Sequence, residues 1–222
     1  MNHFAILFLV IFPVAILIPC EPFKSVPILP KDESSKDASF TKFKTQLLKA
    51  VKSKDVNFLL DAIDPQIHFS FGGDAGKKSF IKSFELDKTP NRSEVWTILD
   101  NTLKLGYFLN GEGHFVSPYL FENFPDSLDP TMYSVIAGTN VNVRAEPNIK
   151  SKVIDKLSYQ IVGLDYATEN VKTDECNWQK VCLADTSTGY VCEKYLRSPL
   201  EYRIFFEKKK QKWMITVFIA GD

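Results

Sequence analysis

The side chains best able to do chemistry are four cysteines and three histidines. Cys176, Cys182 and Cys192 lie close together, Cys20 is far ahead of them, and His3, His68 and His114 all precede the cluster. There is no Cys-x-x-Cys pair and no histidine beside a cysteine, so the spacing of a zinc site is missing. No metal and no cofactor are therefore expected. Disulfide formation is the remaining use for such thiols in an oxidising compartment. Cys176 with Cys192 is the expected bridge, with Cys182 buried and free. Sequence leaves other pairings open, and it leaves open three reduced thiols buried in a core.

Paired carboxylates have no sequence signature. A hydrolase or small-ligand receptor would draw on Asp64, Asp74 and Glu112, the last beside His114 in a glycine-flanked turn. Around Asp74 the run Phe71-Gly72-Gly73-Asp74-Ala75-Gly76-Lys77-Lys78-Ser79 follows an alternating stretch and precedes a helical one, where a phosphate-cradling loop would be placed. Against the pattern G-x-x-x-x-G-K-[ST], Gly72 and Gly76 have one residue too few between them, and a second lysine precedes Ser79. A tight turn needing positive φ is the plainer reading.

The first residues speak to location. Phe4 to Pro19 carries no polar side chain, and the chain turns abruptly polar at Cys20-Glu21. That length suits a secretory hydrophobic region and is short for a membrane span of about 20 residues. Residues 1–20 are read as a signal peptide, with an uncleaved anchor as the alternative. Leu17-Ile18-Pro19-Cys20 resembles a bacterial lipobox, with Pro19 where a small residue is expected, so Cys20 is a candidate for lipidation and membrane attachment against simple secretion. Residues 21–38, with Pro22, Pro27, Pro30 and a polar run from Lys31 to Asp37, have little to bury and read as a flexible tether. The 27 basic and 27 acidic side chains leave no basic excess to neutralise phosphates, so no nucleic-acid partner is expected.

Positioning elements begin at Ser39, a good N-cap. Phe40, Phe43, Leu47, Leu48 and Val51 recur on one helical face. A second helix follows Asp55 and closes at Asp64-Pro65, and Ile67, Phe69 and Phe71 alternate as a strand. Helices are expected around Phe80 to Phe84 and from Asn91, which has capping-box spacing to Glu94. Tyr107 to Leu109 and His114 to Val116 make a hairpin around Asn110-Gly111-Glu112-Gly113. This region is α+β.

Further on, Val141-Asn142-Val143-Arg144-Ala145-Glu146-Pro147, Lys152-Val153-Ile154-Asp155-Lys156-Leu157, Trp178-Gln179-Lys180-Val181, Thr188-Gly189-Tyr190-Val191 and Tyr195-Leu196 occur in that order. Together they resemble a bacterial SH3-like domain over residues 134–196. The resemblance implies a small bent β-barrel acting as an extracytoplasmic binding module for peptidoglycan or an envelope protein. By matching position it makes Trp178 and Tyr190 the aromatics bordering a groove, with Tyr159, Tyr133 and Asn142 as further candidates. The other possibility is that Trp178 only closes the barrel and Tyr190 packs on a neighbour. Asp185-Thr186 stands where the family has Asp-Gly, and the cysteines are extra, so ligand preference does not carry over. The peptidases that accompany such modules need a cysteine ahead of a histidine, and after Cys20 this chain has no cysteine until Cys176, which follows every histidine.

After the barrel, Tyr202 to Glu207 and Trp213 to Ile219 alternate around Lys208-Lys209-Lys210-Gln211-Lys212, giving two strands and a basic turn. A hairpin apolar on both faces needs other strands or helices. The expected architecture is thus an α+β domain with an SH3-like β-barrel inserted, so that the C-terminal hairpin returns to the first domain. Its parts are a signal peptide at 1–20, a tether at 21–38, a discontinuous domain at 39–132 plus 198–222, and a barrel at 133–197. The expected function is a non-catalytic envelope binding or scaffolding protein, periplasmic or membrane-anchored. A hydrolase or receptor centred on the α+β part is the alternative.

Overall fold

The computed structural model describes residues 20–221; apart from Cys20, the segment read as a signal peptide lies outside them. The first helix, α1 (Ala38–Ser53), starts at Asp37, one turn ahead of its stripe of buried Phe40, Leu47, Ala50 and Val51. Asp37, not Ser39, is the N-cap: its carboxylate accepts the amides of Ser39 (2.7 Å) and Phe40 (2.9 Å). Asp55 caps α2 (Val56–Ala62) in the same way through the Phe58 amide, 3.0 Å away. The following strand, β1 (Ile63–His68), begins earlier than the alternation of Ile67, Phe69 and Phe71 indicates and runs through Asp64-Pro65. A proline is tolerated there because β1 is an edge strand. Next come α3 (Lys77–Ser83), α4 (Val95–Leu103), β2 (Phe108–Leu109), β3 (Phe115–Ser117) and α5 (Tyr119–Asn123). Ser93, rather than Asn91, serves the start of α4, its hydroxyl accepting the Val95 amide at 3.3 Å.

The second half is built of β4 (Tyr133–Ile136), β5 (Val141–Arg144), β6 (Val153–Leu157), β7 (Ile161–Leu164), β8 (Val171–Lys172), β9 (Asn177–Cys182), β10 (Thr188–Cys192) and β11 (Leu196–Arg197). The chain ends in β12 (Arg203–Lys209) and β13 (Lys212–Ile219), joined at Lys210 and Gln211, both at positive φ. That hairpin forms the middle of the first sheet, whose order is β1-β13-β12-β3-β2. β13 pairs parallel with β1, and β12 antiparallel with β3. One face buries Ile204, Phe206, Trp213, Ile215 and Phe218 against the helices. Phe40 stacks on Phe115 with centroids 3.8 Å apart and meets Phe206 and Trp213 edge-on.

The second sheet runs β11-β4-β7-β9-β10-β5-β6, with β8 beside β9. Val141, Val143, Val162, Val181 and Val191 point to its small aliphatic core. The expected closure into a barrel is not made: the path has two ends, β11 and β6. A 3-10 turn at Glu193–Tyr195 carries the chain off β10 so that β11 pairs only with β4, and β6 leaves Ile154, Asp155 and Lys156 exposed. The sheet is nonetheless sharply bent. A Cβ on Gly189 would lie 2.5 Å from Val143 Cγ1, so β10 crosses β5 too closely for any side chain there. At the β9–β10 tip Thr186 takes φ 71, and the preceding Asp185 carboxylate accepts the Ser187 amide at 3.0 Å.

The segment expected to be a tether is instead a strap across both sheets. Cys20 is bonded to Cys182, the Ile28 amide donates to the Tyr159 carbonyl (2.8 Å), and the Tyr107 amide donates to the Lys31 carbonyl (2.8 Å). Ile28 is buried among Leu105, Tyr119, Leu120, Val135 and Ile161, where the two sheets meet. The segment's low apolar content gives no sign of this, because a disulfide and backbone hydrogen bonds hold the strap, with Ile28 and Phe23 packing into the cluster between the sheets. Cys176 is bonded to Cys192, with Cα atoms 5.8 Å apart. Cys182 is therefore not free. Cys20 is not lipidated in this fold, since its sulfur is already committed to Cys182. Two disulfides are the mark of an exported protein. Among the described residues no helix is long and apolar enough to cross a membrane.

Candidate functional site

Side chains on β5, β10 and β9 that turn away from the aliphatic core share one outer face. Register sets Tyr190 opposite Lys180 and Arg144, and Cys192 opposite Trp178. Asn142 and Arg144 alternate with the buried valines of β5. A cleft of about 270 Å³ opens on this face, lined by Asn142, Arg144, Ile149, Trp178, the Cys176–Cys192 bridge and Tyr195. Trp178 is only 3% exposed, and its indole N–H donates to the Thr173 hydroxyl at 3.2 Å, so it is the cleft's fixed floor rather than a free platform. Of the five residues expected to meet a ligand, the cleft gathers Asn142 and Trp178, while Tyr133 lies away from it, edge-on to Phe23 of the strap at 4.9 Å. Tyr190 stands on the same face but lines neither this cleft nor the larger one beside it. Tyr159 is elsewhere, at φ 58 in the turn between β6 and β7, where its carbonyl holds the strap.

The larger cleft, about 1060 Å³, lies between the sheets and reaches Asn101 of α4 and Lys104 at the end of that helix. Tyr166, 62% exposed, and Tyr195, 38% exposed, both line it. Tyr166 is held by a hydrogen bond from its hydroxyl to the Thr131 carbonyl (2.9 Å). Beneath them Arg197 bonds Glu201, the Thr102 hydroxyl (3.1 Å) and the Tyr202 carbonyl (2.8 Å). Burial pulls the Arg197 guanidinium below its ordinary value, and Glu201 opposes that pull. Tyr166 gave no sequence signal beyond an aromatic in a polar loop. Arg197 was hidden in the motif's last strand, and only the docking of the sheets reveals its position.

Nearby, Asp165 is buried with Lys180 3.2 Å away. Burial alone would raise its carboxyl, but hydrogen bonds from Thr168, Lys180 and the Ala167 amide hold it below the usual aspartate range.

The other candidate chemistry is dispersed. The cleft beside the glycine loop is lined by Pro65, Ala75, Gly76, Lys77, Lys78, Ser79 and Ile81, with no carboxylate among them. Asp64 is buried and paired with Lys209 at 2.9 Å, Asp74 is exposed, and Glu112 stands 3.4 Å from His114 in its turn. Most of the basic turn is also engaged, Lys208 with Asp37 and Lys212 with Asp61. Among the described residues no group of three His, Cys, Asp or Glu side chains could hold a metal ion.

No family model matches this chain, and no curated protein matches it. A solved structure named Rd1NTF2_05, in a multiply substituted form, aligns with 11% identity over 82% of this chain and 95% of its own, at a TM-score of 0.29. A likeness that low carries no argument about fold or function.

Proposed function

We propose that the chain is an exported, non-catalytic envelope protein whose second sheet is an SH3-like binding module for peptidoglycan or a partner protein. The observation that carries this reading is the cleft on the outer face of β5, β10 and β9, which joins Asn142 and Trp178 from separate motifs of the resemblance. A fixed aromatic floor with polar and charged walls suits selective contact with an extended polar ligand. The two disulfides support work outside the cytoplasm. In this reading residues 133–197 form the module and the α+β part presents it. The hydrolase alternative loses support, since the glycine-loop cleft lacks convergent acids.

Sedimentation with purified sacculi and pull-down from envelope extracts test the proposal. Asn142→Ala should reduce retention while the thermal midpoint stays put; Arg144 is a poorer probe, because its guanidinium also donates to the Ser151 carbonyl at 2.7 Å. Failure of the unmodified protein to be retained by either material sinks it. Trp178→Ala is a poor probe, because a buried floor residue is needed for the fold.

A further inference from the structure

The two clefts are parts of one groove. Glu175, Cys176, Cys192, Lys194 and Tyr195 line both, so the Cys176–Cys192 bridge is a saddle between them. Joined, they exceed the roughly 300–1,000 Å³ of an ordinary small-molecule site, and their shape is that of a channel for something long.

The lining says what kind of chain fits. Lys104, Lys194 and Arg197 are balanced by Glu175, Glu193 and Glu201. An anionic polymer would meet the three glutamates, a cationic one the three basic groups. Several of these groups are already engaged, Arg197 with Glu201 and Glu193 with Asn177. What remains is largely amide and phenol. Asn170 in the large cleft and Asn142 in the small one carry carboxamides, which both donate and accept, matching hydroxyl groups that do the same. The Asn101 oxygen already accepts from Lys104 Nζ at 2.8 Å, so Asn101 offers its amide N–H groups alone. Tyr166 and Tyr195 supply exposed rings of the kind on which a saturated ring can lie. The Arg197 Nε, buried and without a hydrogen-bond partner among the described residues, leaves one donor unmatched beneath them.

We propose that this groove binds a linear, uncharged, hydroxyl-rich glycan strand, extended across the disulfide saddle from Asn142 to Tyr166. The proposal rests on the binding-module reading and names its ligand class. It also gives the α+β part a share in recognition, because Asn101 of α4 and Lys104 and Leu105 just after it line the groove.

Calorimetric titration of the full chain with neutral N-acetylglucosamine oligomers, from dimer to hexamer, tests it. Affinity should rise with length, and Tyr166→Ala and Tyr195→Ala should each weaken hexamer binding about tenfold. Both tyrosines are exposed, so the thermal midpoint should not move. Equal affinity at all lengths, or indifference to both substitutions, overturns the groove. Retention on sacculi or by a stem peptide without affinity for oligomers overturns the glycan class and leaves the binding module standing. Loss of every interaction overturns both.

Discussion

The two sheets are stabilised by different means. In the first, large aromatic side chains interlock: Phe40 touches Phe43, Tyr107, Phe115, Phe206 and Trp213 at once. In the second, short aliphatic side chains fill a narrow bend, and both disulfides end there. A core of valines and leucines this small buries little apolar area, and covalent closure supplies stability that packing does not. One sheet stands on its own contacts, and the other is stapled.

Truncating the aromatic centre should do the most damage to the first sheet. Phe40→Ala should cost about 4 kcal/mol, read as a lower urea midpoint from the emission of Trp96 and Trp213, which lie in that core. Replacing Cys20 and Cys182 together by serine should cost about 3–4 kcal/mol because their bridge closes a long loop. That loss should appear first at Trp178, in the second sheet. If Trp178 and Trp213 instead report one shared transition in the mutant, the two sheets are a single cooperative unit and the contrast drawn here fails.

The strap links the two regimes and can be attacked separately. A Cβ on Gly106 would come 2.2 Å from the Lys31 carbonyl oxygen, at a φ of +86 that side chains rarely adopt. Gly106→Ala should therefore detach the strap at a cost of about 2 kcal/mol, seen as faster proteolysis near residue 31 with the disulfides intact.

Acid should loosen the same joint. Asp37 is held low by hydrogen bonds from Ser39 and the Phe40 amide, and Glu33 by Lys36 and the Leu109 amide. Asp32 is lowered although burial pushes it up, because Lys44 and Ser34 outweigh that push. Each carboxyl binds its proton less readily folded than unfolded, so each contributes stability that is full above its ordinary value and lost as pH falls through the lowered one. The protection factors of amides 31–40, taken relative to intrinsic exchange at each pH, should fall as pH drops below about 4, before the aromatic core opens. The smallest effect belongs to Lys210 at the tip of the β12–β13 turn, where Lys210→Gly should shift stability by no more than about 0.5 kcal/mol.

Periodicity made α1 and the C-terminal pair readable, whereas the β2–β3 hairpin was readable from its Asn110-Gly111-Glu112-Gly113 turn, since Phe115, Val116 and Ser117 are all buried and show no alternation. The α+β class followed from that. The strap was illegible, since backbone amides and a sulfur hold it and neither leaves a hydrophobic pattern. The candidate site was half legible: Asn142 and Trp178 lie in recurring motifs, whereas Tyr166 and Arg197 matter only because a second sheet docks beside them. Tyr159 illustrates the opposite error, an aromatic near the motif whose backbone serves the strap.

The Cys20–Cys182 bond also orders events during biogenesis. A polypeptide crossing a membrane amino end first presents Cys20 to Cys176 before Cys182 has emerged, so the earliest available partner is the wrong one. Correct pairing must then wait for Cys182 and Cys192, on β9 and β10, or be reached by thiol exchange after a mispaired start.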